Sequence, residues 1–281
     1  AKIWKKAANR NIAGLMAKEM LTKQEVVSLL SVETYYNLIN MPMPQTQDGI
    51  IERFEQEHFI KYEELGWSIT QLGALVLGKN LSDFGLLKRK GIRVIVYKAK
   101  NKIETVREQL FEQGYAVCLD NAVEWIKGQL PANEVIEQTL RRSVTMYPQL
   151  SIRELIGNMV IHQDFSEQGS PMVEIYSDRI EISNPGTPLV QVDRFIDEYQ
   201  SRNEALADVM RRMGFCEEKG SGMDKVITQI ETYQLPPLRI QSTENRVIVT
   251  MEAYKSWGDM TPQFYFYFLY YLSNIAYFAH L

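Results

Sequence analysis

Cysteine is nearly absent: the 281 residues hold two, Cys118 and Cys216, far apart and with no CxxC spacing. That excludes a disulfide framework and a zinc site built on thiolates, and it fits a reducing, cytoplasmic setting. Excess positive charge is also missing. A formal net charge of -4 argues against a chain that coats nucleic acid along its whole surface, though not against a local basic patch. Long apolar runs are lacking too. The start, AKIWKKAANRNIAGLMAKEM, is basic but its apolar stretch is short and broken, unlike a secretion signal. At the far end, FYFYFLYYLSNIAYFAHL is densely aromatic, yet it is interrupted by Ser273, Asn274 and His280 and is too short for a membrane span. It reads as a core or dimer-packing helix. No internal repeat is visible.

What remains is a composition able to build a core, with a hydrophobic share of 45% against a charged share of 23%. Residues 1–20 read as a short helix or linker tail. Thr22 caps the helical pattern of Val26, Leu29 and Leu30, and MPMPQTQDG is a loop. IIERFEQEHFIKYEELGWSITQLGALVL then reads as helix, short hairpin and helix, so residues 21–85 form a helical, winged-helix-like segment. Between Lys88 and Lys102 the chain carries seven basic residues, around and within the strand-like run Ile92–Tyr97. They are either a strip for phosphate backbones or the solvated ends of a strand. YAVCLDNAVEWIKGQL reads as a helix, and EVIEQTLRRSVTMYP as a strand leading into the next helix.

The chemistry concentrates after Tyr147. In SIRELIGNMVIHQDF, Ile152, Leu155, Ile156, Met159 and Val160 make an apolar stripe that faces a core. Glu154, Asn158 and His162 step by four and form a separate polar line: carboxylate, amide, imidazole. Ser151 followed by Glu154 also matches a capping box, so Glu154 reads either as a pocket group or as a cap. PMVEIYSDRIEIS alternates as a hairpin and ends in Asn184-Pro185-Gly186, a sharp turn able to bring backbone close to a ligand. Thr187 to Ser201 is long and polar enough for a lid. RNEALADVMRRMG is amphipathic, with Leu206, Val209, Met210 and Met213 on one side. Finally Gly220-Ser221-Gly222 stands directly before a helix carrying Met223, Val226, Ile227 and Ile230. Glycines at a helix start let phosphate oxygens approach backbone N–H groups.

The ordered runs RELIGNMVIHQDF, DRIEISNPGTPL and SRNEALADVMRRMGFCEEKGSGMDKV resemble the ATP-binding module of RecG-like transcriptional regulators. Those are relatives of the GHKL ATPases (gyrase, Hsp90, histidine kinase, MutL). The upstream SITQLGALVLGKNL and IRVIVYKAKNKIETVREQ are similar to the same regulators, so the likeness runs to about Tyr254. It implies an α+β fold, a GHKL-like sandwich of a mixed or antiparallel sheet on helices. The expected organisation is a tail at 1–20, the winged-helix-like segment at 21–85, the ATP-binding domain at 86–254 with its core at 147–251, and an aromatic helix at 255–281. It further implies that this chain, which begins with Ala, is a fragment whose preceding Schlafen AlbA-like domain is missing or reduced to a few residues.

The resemblance also assigns roles. Glu154 matches the base that activates water, and Asn158 the oxygen ligand that holds Mg²⁺ against the phosphates of ATP. Asn184 stands where GHKL enzymes place the Asp that reads adenine, Gly186 follows in that box, and Gly220, Ser221 and Gly222 match the phosphate glycines. His162, Arg202 and Asn203 belong to the regulators' own pattern, with phosphate or lid contacts expected of them. Asn for Asp, and NPG for DxGxG, imply slow hydrolysis or none. The expected protein is therefore an ATP-binding regulator, a homo-oligomer that reaches DNA through the missing domain and no membrane. The alternatives are an active Mg²⁺-dependent ATPase using Glu154 and a degenerate scaffold that binds no nucleotide.

Overall fold

A computed structural model describes residues 12–130, 132–137, 140–190, 200–216 and 221–254. The aromatic segment after Tyr254, most of the expected lid and Gly220 therefore lie outside the described residues.

The first unit is built from β1 (Met16–Leu21), α1 (Lys23–Leu29), α2 (Val32–Leu38), α3 (Gln47–Gln56), and the hairpin β2 (Ile60–Glu63) and β3 (Gly66–Thr70). Thr22 closes a full capping box on α1. Its hydroxyl accepts from the Glu25 N–H at 3.3 Å, and its own N–H donates to the Glu25 carboxylate at 2.7 Å. The three strands form one antiparallel sheet in the order β1-β3-β2. Helices followed by a β-hairpin that pairs with an earlier strand give the winged-helix-like outline expected for this region. The tail expected at 1–20 needs correction, because Met16–Leu21 is a strand. Its pairing with β3 shifts register twice, which erases the alternation by which a strand is recognised in sequence.

Next come α4 (Gln71–Leu77), a short 3-10 segment (Leu81–Leu87), β4 (Ile92–Tyr97), β5 (Thr105–Phe111) and α5 (Tyr115–Gln129). The stretch read as one strand before the next helix is instead an antiparallel hairpin, β6 (Ala132–Glu137) with β7 (Leu140–Thr145). The pairing from Ala132↔Thr145 to Glu137↔Leu140 makes the chain reverse inside that run. Then follow α6 (Gln149–Ile161), the hairpin β8 (Met172–Ile175) and β9 (Arg179–Pro185), α7 (Glu204–Arg212), α8 (Ser221–Thr232), and β10 (Arg239–Ser242) with β11 (Arg246–Glu252).

β10-β11-β9-β8-β4-β5 form a mixed six-stranded sheet in which β4 and β8 run parallel and the other neighbours antiparallel. The register aligns Val94, Val173 and Ile182 across one face, with Ile175 and Ile180 beside them, all buried. That face joins the same core as Ile152, Ile156 and Val160 of α6 and Leu206 and Met210 of α7. On the opposite face Ile95, Tyr97 and Tyr176 form a small separate cluster, with the two tyrosine rings stacked at 5.0 Å. The fold is thus the mixed α+β sandwich expected from the sequence.

Four of the seven cations of the basic strip are ion-paired within the protein. Arg93 meets Glu108 at 2.7 Å, Lys98 meets Glu104 at 2.8 Å, Lys100 meets Asp178 at 3.7 Å and Lys102 meets Glu174 at 2.7 Å. Lys90 is buried and donates to the Glu167 carbonyl at 2.6 Å.

Candidate functional site

α6 starts earlier than its Ser151 suggests. Pro148 is the N-cap, and Ser151 lies fully buried inside the helix, its hydroxyl 3.5 Å from the Val226 carbonyl on α8. The capping box expected at Ser151 is therefore absent, because a proline preset at φ -65° opens the helix first. Glu154 is thus free of the cap role on its own helix. The apolar stripe faces the core as expected, with Ile152, Leu155, Ile156, Met159 and Val160 each at most 3% exposed.

Along the polar line, Glu154 is buried and Asn158 half-buried. The Asn158 amide lies 3.5 Å from the Glu154 carboxylate as donor. Glu154 points at the first turn of α8, where it rests against Gly222. A Cβ built on Gly222 would overlap the carboxylate. This juxtaposition brings together two residues 68 positions apart in sequence, and glycine is what permits it. It also places a negative charge at a helix N-terminus, where the helix dipole favours one. Ser221 and Gly222 belong to the helix itself rather than to a loop before it, which corrects that part of the glycine-box expectation. Ser221 is placed by its backbone alone, and Gly220 lies outside the described residues.

His162 is the C-cap of α6, its backbone N–H donating to the Asn158 carbonyl at 2.9 Å. Burial, reinforced by the neighbouring Arg202 guanidinium, pushes its imidazole down to about 4. The ring is therefore neutral near neutral pH and offers no positive charge to a phosphate.

Asn184 sits on β9 in register with Val247, on the same face as Ile180 and Ile182, and so towards α6. It is buried, and its amide nitrogen donates to the Pro185 carbonyl at 3.3 Å. Asn184 and Pro185 are still strand, so the turn expected over three residues begins only at Gly186. Gly186 has φ +107°, and a Cβ there would come within 2.6 Å of the Asp164 Cβ. Two backbone bonds of 2.8 Å complete the seam: Asp164 N–H to the Pro185 carbonyl, and Gly186 N–H to the Asn245 carbonyl.

Arg202 and Asn203 close this seam from the other side. Arg202 donates to the Asp164 carboxylate at 2.9 Å and to the Thr187 carbonyl at 2.6 Å. The Asn203 amide donates to the carbonyls of Ile161 at 2.6 Å and Gln163 at 2.9 Å, satisfying acceptors just past the end of α6. Both side chains therefore act on the protein, clamping the end of α6 to the end of β9.

Two participants were not read from the sequence as site residues. Asp164, assigned to a turn, does accept from the Ser166 N–H at 3.0 Å, but it is also the half-buried ion-pair partner of Arg202. Gln163 is fully buried, donating to the Tyr115 hydroxyl at 2.6 Å, which in turn donates to the Lys90 carbonyl at 2.8 Å. The HQD run carried the signal: three polar residues at a helix end in the core need partners.

Among the described residues no group of three or more His, Cys, Asp or Glu side chains could hold a metal ion. A cation at Asn158 and Glu154 would thus draw most of its oxygens from a ligand and water. Mg²⁺ bound beside phosphates is held in that manner.

Residues 169–251 match the family described as "Putative ATP-dependent DNA helicase recG C-terminal". This supports a RecG-like, GHKL-like ATPase domain over a segment that is under a third of the chain. The match contains Asn184, Gly186, Arg202, Asn203 and the Gly220–Gly222 box, whereas Glu154, Asn158 and His162 precede it. No curated protein matches the sequence. Among solved structures, the DIP2311 protein from Corynebacterium diphtheriae is similar in fold, with a TM-score of 0.66 at 18% identity. The alignment covers 85% of this chain and 47% of that one, so the chain spans about half the length of that protein. No described helix is long and apolar enough to cross a membrane.

Proposed function

We propose that this protein is an ATP-binding regulator that hydrolyses its nucleotide slowly or not at all. The observation carrying the reading is the convergence of Glu154 and Asn158 from α6 with Gly222 at the start of α8. The match to a RecG C-terminal-type ATPase domain supports it. In this reading Asn158 presents its side-chain oxygen to Mg²⁺, and Asn184 faces the adenine. Gly220, Ser221 and Gly222 bring backbone N–H groups to the phosphates. Bound Mg²⁺ supplies positive charge against the phosphate oxygens. Glu154 holds a water, and the Asn184 amide, uncharged where the resemblance expects a carboxylate, weakens adenine reading. In the same reading the protein is a cytoplasmic, homo-oligomeric transcriptional regulator. Its DNA contact falls to another domain, consistent with the paired cations of Lys98, Lys100 and Lys102.

Calorimetric titration with ATP, with and without Mg²⁺, tests this. Saturable Mg²⁺-dependent binding, weakened on the order of tenfold in Asn158→Ala, is expected, tenfold being about 1.4 kcal/mol. No heat and no thermal stabilisation at millimolar nucleotide sinks the reading.

A second reading, the non-binding scaffold, draws on Glu154 itself. Its carboxylate already sits at the α8 N-terminus, the position a phosphate would take. Glu154→Gln separates the cases. A hydrolase keeps binding and loses turnover, a slow binder keeps binding, and a scaffold shows neither binding nor turnover before or after the change.

A further inference from the structure

α7 touches both halves of the molecule by its two ends. Its N-terminal end is the clamp described above, with Arg202 on Asp164 and Thr187, and Asn203 on the last carbonyls of α6. Its C-terminal end carries Arg212, whose guanidinium grips the Glu57 carboxylate with both terminal nitrogens, at 3.0 Å and 2.5 Å. The nine helical residues of α7 hold the two ends apart by about 13 Å.

Glu57 is placed to pass on a displacement. It is the C-cap of α3, and the β2–β3 hairpin begins three residues later at Ile60. Its side chain is 8% exposed and also receives Arg53 at 2.6 Å and the Tyr35 hydroxyl at 2.9 Å. Arg53 donates in turn to the Tyr35 hydroxyl at 2.7 Å. A largely covered carboxylate held by three donors does not give up one of them without cost, since the charge left behind is poorly hydrated. A shift of Arg212 therefore pulls on Glu57 rather than leaving it behind.

We propose that α7 is a strut that transmits the state of the α6–β9 site to the winged-helix-like unit, with the Glu57–Arg212 pair as its joint. The proposal names the regulatory path of the nucleotide site and so rests in part on the nucleotide-binding reading.

Hydrogen exchange on the whole chain tests the strut in two arms. The first needs no ligand. Asn203→Ser loosens the α7 clamp, and exchange of amides in residues 57–70 is expected to accelerate at least threefold. In an Arg212→Gln background the same change is expected to add nothing there. Sites this far apart otherwise contribute independently. An unaltered effect of Asn203→Ser in the Arg212→Gln background overturns the strut, as does no remote effect at all. If Asn203→Ser loses its cooperative melt, Arg202→Lys serves as the gentler loosening of the same end.

The second arm adds Mg²⁺-ATP. Slowed exchange in residues 57–70 of the wild type, absent in Arg212→Gln at equal affinity, confirms transmission from the ligand. Equal protection in both proteins overturns it. If no nucleotide binds, the binding reading fails, and the first arm still decides the strut.

Discussion

At the scale of single residues, the site depends on side chains that are missing as much as on those present. Gly222 leaves the volume that the Glu154 carboxylate takes up. Gly222→Ala is expected to displace that carboxylate and to weaken nucleotide binding at least several-fold, with a lowered melting temperature. Calorimetry and a thermal scan would check both, and unchanged binding would mean that Glu154 moves without consequence. His162 gives a prediction in pH. Its folded value of about 4 lies below the usual 6.5, so above 6.5 the ring is neutral in both folded and unfolded states and contributes nothing. As pH falls from about 6.5 towards 4, the unfolded chain takes up a proton that the folded one refuses, and stability drops by on the order of 3 kcal/mol. Urea unfolding at pH 7 and pH 5 should show the loss, and His162→Gln should flatten it.

The polar line of Glu154, Asn158 and His162 was legible in sequence because a helix repeats every 3.6 residues and the apolar positions beside it marked which face was buried. Its partners were not. Gly222 and Arg202 come from distant segments, and no local spacing announces that they would meet Glu154 and Asp164. Glu154 also read as a cap because Ser151 stood three residues before it. Only the earlier start at Pro148 removes that role.

Elements were legible where their period was clean. The helix at Tyr115–Gln129 and the hairpin from Met172 to Pro185 follow their patterns. Strand Met16–Leu21 breaks its own alternation at two register shifts and so read as a tail. Capping chemistry was also readable, and it sets an energy. The capping box of Thr22 satisfies N–H groups that α1 would otherwise leave to water. Thr22→Ala is expected to cost about 1 kcal/mol in chemical unfolding. A loss below a few tenths would mean that β1, immediately before it, already holds the start of α1 in place.

Over the whole molecule, one hydrophobic core runs from Val26 and Phe54 of the first unit through Leu75 and Leu119 to Ile182 and Met251 of the second. The boundary drawn at residue 85 thus separates topologies but not cores. The segment matched to the ATPase family, 169–251, omits β4, β5, α5 and α6, and with them one neighbour of β8 and much of its helical cover. Expressed alone, residues 169–251 are expected to give no cooperative unfolding transition, whereas the full chain gives one. Circular dichroism with a thermal scan would tell them apart, and a sharp transition from the short piece would refute this.

The parallel pairing of β4 with β8 joins residues roughly 80 positions apart in the chain. Its consequence lies in time rather than in energy. On a ribosome β4 emerges early and stays without its partner until β8 has been made, several seconds later at ordinary elongation rates. Through that interval one flank of β4 is open to wrong partners, and closing so large a loop is slow in itself. The winged-helix-like unit, whose last strand ends at Thr70, has no such wait. It can complete its own sheet first and offer the later strands a surface on which to assemble.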